Sequence, residues 1–303
     1  MSLISIITVN YNQPEVTVAF LQSIRRYAGE IPVEVILVDN APRESYESQF
    51  KEAYPELIYI LSEQNTGFAG GNNLGIRRSK GDYLLLLNND TEITEDFLVT
   101  LLDEMNANPQ IGLLSPLIKY FDEKDRIQYA GFTPMNYYTG RNNGIGNYEI
   151  DKGQYRKSNE TGFCHGAAML CRRADLEAAG LMEELYFLYY EELDWCEKFK
   201  RIGKKIWFTG KTAIYHKESV SVGKMSPLKI FFMTRNRMLY IRRNASLLPK
   251  SIFTVYYTLF VCPLKIAQLL AKRQPGLARQ VFRGIKWNFT HSKNSTDRGY
   301  KHI

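Results

Sequence analysis

The chain has 303 residues, enough for one large α/β domain or two smaller ones. Hydrophobic residues make up 45% and aromatics 13%, which excludes a disordered or low-complexity chain. The net charge of +7 is uneven: residues 226–303 carry fifteen Lys and Arg against one acid, Asp297, which leaves residues 1–225 with 24 basic and 31 acidic groups.

The opening, MSLISIITVNY, lacks a basic n-region and a small-residue cleavage site, and reads as a first strand rather than a signal peptide. LISIITV (3–9) is rich in β-branched residues. PEVTVAFLQSIRRY (14–27) places Pro14 in a first helical turn and Val18, Leu21 and Ile24 near one face. VEVILVD (33–39), LIYILS (57–62) and DYLLLLN (82–88) are further strands, and GGNNLGIRRSK (70–80) reads as a helix start. This alternation predicts βαβ units and a mostly parallel sheet with helices on both faces.

Residues 111–160 are less regular, and NYYTGRNNGIGNY (136–148) reads as a long loop, with a mobile lid as one role for it. HGAAMLCRR (165–173) is a short strand leading into ADLEAAGL, followed by the acidic LYYEELDWCEKF (188–199) and the strands KIWFTG and AIYHKES (213–219). Cys164, Cys171, Cys196 and Cys262 show no zinc or redox spacing and read as reduced thiols of a cytosolic protein.

Ligands of such sheets lie beyond the carboxyl ends of the strands. Those ends carry Asn10-Tyr11-Asn12, Asp39-Asn40, Ser62 to Gly67, and Asn88-Asn89-Asp90. Asp39 is either a turn-starting acid or an acceptor for a ring N–H of a nucleotide base. NTGFAGGNNLG (65–75) joins four glycines and three asparagines at a helix start, where backbone approaches a ligand and N–H groups are free; an ordinary loop is the other reading. Thr94 and the acids of TEDF (94–97) already supply the next helix start, so Asp90 is spare. A hard cation bridging a diphosphate needs few protein carboxylates, because phosphate oxygens and waters fill most positions.

On a helix, Glu192, Trp195, Cys196 and Phe199 share one face, and Glu191, Asp194 and Lys198 the next. Asp194 and Lys198 can pair at i,i+4, so the second face reads as solvated. Glu192 heads an otherwise apolar face, where partial burial raises a carboxyl pKa and suits it to act as a base. His216 follows a strand end and reads as a structural histidine or a ligand.

In order along residues 3–220, the stretches ITVNYNQ, VILVDNA, NTGFAGGNNLGI, LLLLNND, GAAMLCRRADLEAAGL and YEELDW, with His216, resemble the inverting glycosyltransferases of family 2, which have the GT-A fold. The similarity is strongest to bacterial rhamnosyltransferase-like members, which build cell-surface polysaccharide. It implies a donor that is a nucleoside diphosphate sugar (UDP- or dTDP-linked), an acceptor that is a glycan or lipid-linked saccharide, and Mg²⁺ or Mn²⁺. It further implies that Asp90 and His216 hold the metal, Asp39 meets the base, and the catalytic base lies among Glu191, Glu192 and Asp194. Val9, Asn10, Tyr11, Asn40, Asn65, Gly67, Gly71, Asn72, Asn73, Asn88, Asn89, Gly166 and Trp195 would complete the substrate-binding set. Two departures stand out: Asn88 replaces the first acid of the metal motif, and Glu192 stands where an Asp is usual. The first departure motivates a rival reading, a non-catalytic protein that binds a nucleotide sugar or glycan. A sugar nucleotidyltransferase would carry a Gly-rich basic loop after the first strand, which NYNQPE does not.

The chain divides into a glycosyltransferase-like part, 1–225, and a basic extension, 226–303. KIFFMTRNRMLYIRRN (229–244) mixes apolar and cationic residues, and SIFTVYYTLFVCPL (251–264) is uncharged but short for a spanning helix, with Pro263 shortening it further. An interfacial helix on anionic lipid is expected, and a helical cap packed on the domain is the alternative. No nucleic-acid module is present, and the aromatics cluster in an apolar run rather than on a charged sheet.

Overall fold

The computed structural model describes residues 2–217 and 226–300. β1 (Ile4–Asn10), α1 (Pro14–Tyr27), β2 (Val33–Asn40), α2 (Glu47–Ala53), β3 (Ile58–Ser62), α3 (Gly67–Arg78) and β4 (Tyr83–Leu87) follow in turn. The four strands run parallel in the order β3-β2-β1-β4, as helical crossovers require. Their carboxyl ends therefore share one edge, with Asn10 opposite Asp39 and Asn40 opposite Ser62.

β5 (Thr91–Ile93), α4 (Phe97–Ala107), β6 (Ile111–Tyr120), β7 (Ile127–Tyr129), β8 (Asn159–Glu160), β9 (Ala168–Arg172), α5 (Arg173–Ala179), α6 (Glu191–Arg201) and β10 (Lys205–His216) complete the sheet and its cover. β9 enters antiparallel between β4 and β6, and β10 runs parallel to β6. The parallel expectation thus holds for the first four strands and gives way to mixed pairing. β6 lies where sequence promised little regularity, because Pro116 interrupts its middle. Proline brings no ladder donor, and the register of β10 slips beside it, between Thr209 and Ala213. That slip joins KIWFTG and AIYH into one strand; Glu218 and Ser219, expected to extend it, lie outside the described residues.

Three further expectations change. The Thr94 hydroxyl donates to the Ala213 carbonyl, 2.9 Å away, rather than capping α4, whose preceding residue is Asp96. The 136–148 stretch folds back in hairpin fashion, with Asn136 N–H on Arg141 O and Thr133 N–H on Asn143 O, each 2.9 Å. Arg237 then pins its tip through Gly140 O (3.0 Å) and Thr139 O (2.7 Å), so it is anchored rather than a free lid.

Alternation along the strands splits the core across the sheet. Ile7, Leu84 and Leu86 pack with Trp195 and Phe199 of α6 on one face, and Ile6, Leu85 and Leu87 with Phe20 and Leu101 on the other. The basic extension is helical: α7 (Pro227–Asn244), α8 (Leu247–Tyr256), a π-helical turn Tyr257–Val261, α9 (Cys262–Ala271) and α10 (Pro275–Thr290). Ser226 Oγ caps α7 by accepting from Lys229 N–H at 3.1 Å. Leu239 and Tyr240 of α7, Phe253 of α8 and Trp287 of α10 join the same apolar cluster as α6.

Candidate active site

The carboxyl edge of β1, β2 and β4 is a closed polar network. Asn10 Nδ2 donates to Asp39 Oδ1 at 2.7 Å, and the Tyr59 hydroxyl donates to Asp39 Oδ2 at 2.7 Å. Burial pushes the Asp39 carboxyl above its ordinary range, opposed by these two hydrogen bonds. Asn10 Oδ1 accepts from Thr17 Oγ1 (2.9 Å), and Asn89 Nδ2 donates to Thr17 Oγ1 (2.8 Å). Asn89 therefore ties the β4 tip to β1. Asp39 itself is fully buried; Tyr11 is the open side chain of this edge, at 41% exposure.

Asn40 builds the next corner. Its Oδ1 accepts from Thr66 N–H and Oγ1, both 2.9 Å, and its Nδ2 donates to Asn65 Oδ1 at 3.0 Å. Asn65 Oδ1 accepts from Gly67 N–H at 3.0 Å, and Phe68 N–H donates to Phe187 O at 2.8 Å. The helix thus begins at Gly67, not Gly70, and its first amides are already engaged, contrary to the free N–H groups expected there. Gly67 has φ +74°, and a Cβ on it would stand 2.2 Å from Phe187 O. Only glycine fits that approach. Gly71 and Gly75 lie over Val9 and Ile7 of β1, where a Cβ would come within 2.8 and 2.4 Å. These two glycines serve close helix–sheet packing rather than a ligand.

Asn72 and Asn73 are buried, and their amides are spent inside the protein: Asn72 on Phe68 O (2.9 Å), Asn73 on Met182 O (3.0 Å) and Glu184 Oε1 (2.9 Å). Trp195 is likewise fully buried, with its ring N–H on Gly180 O at 2.9 Å. Each of the three fills a buried position where α3 or α6 meets the core.

Asp90 and His216 do meet. β5 pairs antiparallel with the end of β10, setting His216 opposite Thr91, and His216 Nε2 stands 3.1 Å from Asp90 Oδ1. His216 Nδ1 lies 2.8 Å from Gln128 Oε1. An amide oxygen only accepts, so Nδ1 carries a proton, and in the neutral ring Nε2 presents its lone pair to Asp90. Asp90 Oδ1 is buried and takes no hydrogen bond. Two facing acceptors at this distance repel unless a proton or a cation joins them. One carboxylate and one imidazole fit a divalent ion whose remaining positions come from phosphate oxygens and water. Among the described residues no group of three or more His, Cys, Asp or Glu is placed to hold a metal. Asn88 is bound through its backbone, N–H to Ala167 O at 3.0 Å.

The segment 165–167 joins this pair to α6. The His165 ring lies 5.8 Å from that of His216, edge to face. Its Nδ1 accepts from Ala167 N–H at 3.1 Å, so the neutral ring carries its proton on Nε2. Burial, with His216 beside it, pushes the His165 pKa down to about 3. A Cβ on Gly166 would lie 3.8 Å from Glu192 Cγ and 3.7 Å from the Phe68 ring. Sequence reasoning passed over His165; its place directly before Gly166 was the available signal.

Of the three acids opening α6, Glu192 is half-buried while Glu191 and Asp194 are buried, so the face expected to be solvated is the covered one. Asp194 Oδ1 accepts from the Tyr186 hydroxyl (3.1 Å) and Asn244 Nδ2 (2.7 Å), while Lys198 donates to Leu181 O instead of Asp194. Burial raises the Glu191 carboxyl well above its ordinary range, with Glu192 adding to the shift. Burial also raises Glu192, partly offset by the backbone amides of Glu192, Tyr190 and Leu193 at the helix start. The turn ahead of α6 is strained: Phe187, Tyr189 and Tyr190 have φ of +64°, +71° and +75°. Bulky side chains adopt this region only when surrounding contacts impose it, and such strain gathers at functional sites.

Those contacts come from α7, which no local pattern around α6 foretells. Asn236 Nδ2 donates to the carbonyls of Tyr186, Leu188 and Tyr189 at 2.9, 2.8 and 2.7 Å. Arg235 donates to Leu185 O and Tyr186 O, and its guanidinium is stacked by Phe232 and Trp287, 4.7 and 4.9 Å from the ring centres.

Comparisons with known proteins identify the family and the fold. The family described as Glycosyl transferase family 2 matches residues 5–180. The chain is 27% identical over 266 residues to the low-salt glycan biosynthesis hexosyltransferase Agl10 of Haloferax volcanii, covering 84% of this chain and 80% of that protein. It is 22% identical to the N-acetylglucosaminyl-diphospho-decaprenol L-rhamnosyltransferase of Mycobacterium tuberculosis over 73% of this chain and 78% of that one. The dTDP-rhamnosyl transferase RfbF of Shigella flexneri is 24% identical over 77% and 79% of the two chains. Among solved structures, S. aureus TarS 1-349 superposes with TM-score 0.59 at 15% identity, covering 96% of this chain and 81% of that one. The mannosyltransferase PcManGT of Pyrobaculum calidifontis, solved with GDP-Man and Mn²⁺, gives 0.58 at 14%, over 95% and 87%. At these identities the structural likeness establishes the GT-A fold.

Proposed function

The chain belongs to glycosyl transferase family 2, and from that premise we propose that it moves a sugar from a nucleoside diphosphate sugar to an acceptor hydroxyl with inversion. The single observation that carries this reading is the place of segment 165–167: His165 touches His216 of the Asp90–His216 pair on one side, and Gly166 adjoins Glu192 on the other. A diphosphate at the pair and a hydroxyl at Glu192 then flank the space above Gly166, where the absence of a side chain leaves room for the sugar.

The chemistry is a single displacement. The acceptor oxygen forms a bond to the anomeric carbon, the bond from that carbon to the phosphate oxygen breaks, and the nucleoside diphosphate leaves with the electron pair. Glu192 takes the hydroxyl proton, and its raised pKa favours that transfer. Glu191 and Asp194 are assigned supporting places, since both are buried. Asp90 and His216 would hold Mg²⁺ or Mn²⁺, which when bound offsets charge on the leaving diphosphate. Asp39 has lone pairs left for a base N–H after accepting from Asn10 and Tyr59.

The name of RfbF favours a dTDP-sugar, rhamnose among the candidates, with a UDP-sugar as the alternative, and the names of the other two relatives favour a glycan or lipid-linked acceptor. The four unpaired, buried cysteines accord with a reducing compartment, and the basic extension with the inner face of a membrane. The test is Glu192→Gln: sugar transfer and donor hydrolysis should fall at least a hundredfold while the affinity for UDP or dTDP stays within threefold. Undiminished turnover would overturn the base assignment. Nucleotide binding by the wild-type protein with no hydrolysis of any donor would support the non-catalytic reading instead.

A further inference from the structure

We propose that the continuous helix formed by α8, the π turn and α9 is an in-plane docking surface for an anionic lipid bilayer. It rests on the glycosyltransferase reading only for its purpose, access to a lipid-linked acceptor. The surface itself stands on the geometry of the helix.

Leu247–Ala271 is one run of 25 residues, long and apolar enough by length and composition to cross a membrane. Two rows of side chains divide it. The inner row, Phe253, Tyr257, Cys262 and Leu269, is buried on the protein. The outer row, Leu248, Ile252, Val255, Leu259, Phe260 and Leu264, is exposed, from 45% at Ile252 to 65% at Leu259. Both rows advance by three or four residues along α8 and then by five across the turn, from Tyr257 to Cys262 inside and from Leu259 to Leu264 outside. A π turn adds one residue per turn, so it keeps both rows in phase. It also lets the helix continue past Pro263, which removes one backbone donor.

An outer row of apolar side chains on a helix whose opposite face is locked to the protein fits the edge of a bilayer rather than its span. Spanning would strip the inner row from the core, including Phe253, which packs under Gly140. Charge selects the lipid: Lys265, Lys272 and Arg273 on or just after α9, and Arg279 and Lys286 on α10, are exposed, and Asp297 is the single acid after residue 225. Apolar insertion with flanking cations is the chemistry of binding to anionic headgroups. The helix connects to the candidate site through its inner row, since Arg237 bridges the Tyr257 ring (5.0 Å) and the 136–141 hairpin, and Tyr190, beside Glu192, packs on Tyr240 of the same α7.

The test is co-sedimentation of the full chain with phosphatidylglycerol-rich and with purely phosphatidylcholine vesicles. The wild type should bind the anionic vesicles at least tenfold more tightly, lose binding in high salt, and be released by alkaline carbonate. The double variant Leu259→Glu/Phe260→Glu should lose at least tenfold in vesicle affinity, and Val99→Glu, an exposed apolar residue on α4, should lose none. Circular dichroism melting of both variants checks that they fold. Equal vesicle binding by wild type and double variant overturns the proposal. So does carbonate-resistant binding, which marks a spanning helix, or a wild-type dimer that the double variant turns monomeric without any vesicle binding, which assigns the face to a second copy. Donor hydrolysis in solution, retained by the double variant, separates this proposal from the transferase reading: loss of hydrolysis in the wild type would sink the latter and leave the docking result standing.

Discussion

Asn236 Nδ2 lies 2.7 Å from the carbonyl oxygen of Tyr189, the residue two before the first acid of α6. The same amide serves Tyr186 and Leu188, so one side chain of the helical extension holds the strained turn that aims Glu192. The extension thus packs against the turn that precedes α6 rather than standing apart from it.

Asn236→Ala should remove the side-chain donor from the Leu188 and Tyr189 carbonyls, while Tyr186 O keeps Arg235, at a cost of about 1–3 kcal/mol in stability. Asn236→Asp, isosteric but without an N–H, should cost more than alanine because it sets a carboxylate against three carbonyls. Denaturant unfolding measures both. If alanine proves the worse of the two, the brace acts through packing and not through donation.

Gly67→Ala should be among the most damaging glycine changes. It combines a left-handed φ of +74° with a Cβ 2.2 Å from Phe187 O, so α3 or the 187–190 turn must move. Gly29→Ala is the control: φ is +64° but nothing lies within 4 Å, so its cost should be the backbone strain alone, about 1–2 kcal/mol. Equal melting temperatures for the two variants would show that the 67–187 approach is not tight.

How much of this was legible beforehand depends on how local the cause was. The first four strands and α1 follow from apolar runs and a helix-starting proline. The Asp90–His216 meeting was implied by family resemblance, and the pairing of β5 with β10 is what realises it. The asparagines and glycines of 65–75 suit either a ligand site or an ordinary loop, yet Gly71 and Gly75 face β1, Asn73 reaches the 182–184 segment over a hundred residues away, and Asn72 turns back onto Phe68 O of its own helix. Composition flags a special backbone there but not whose contact requires it. Asp194 and Lys198 satisfied the i,i+4 rule, and tertiary burial overrode it through Tyr186 and Asn244. Nothing in the sequence near α6 pointed to Asn236, because a brace from a distant helix leaves no periodic trace.

Glu192 gives the rate a specific pH dependence. A base must be ionised to accept a proton, and burial raises this carboxyl above its ordinary 4.5. Turnover should therefore fall as pH drops through a limb above 4.5, not at or below it. The Gln variant should lose that limb along with its activity. An acid limb below 4.5 in the wild type would remove Glu192 from the role.

Glu191 sets the opposite trend in stability. Its folded-state pKa is raised well above 4.5 by burial, so below 4.5 both folded and unfolded chains hold the proton and nothing is lost. As pH rises, the unfolded chain releases its proton first and the fold is progressively penalised. Glu191→Gln should raise the melting temperature at pH 8 relative to wild type and change it little at pH 4. A shift confined to pH 4 would contradict the buried, neutral carboxyl.

Asp90 and His216 predict how metal and nucleotide binding are linked. The pair supplies two donors, and a diphosphate must supply others, so Mn²⁺ alone should bind weakly while Mn²⁺ with UDP or dTDP binds well. Asp90→Asn keeps the shape but removes the charge, and titration calorimetry should show at least a tenfold loss of Mn²⁺ affinity in the presence of the nucleotide. His216→Ala should weaken it less, because Asp90 retains both carboxylate oxygens. Glu192→Gln, on the far side of Gly166, should leave it unchanged. Equal Mn²⁺ affinity for wild type and Asp90→Asn would mean that the metal, if used, is held elsewhere, and the facing lone pairs at 3.1 Å would then be joined by a proton, as an imidazolium–carboxylate pair.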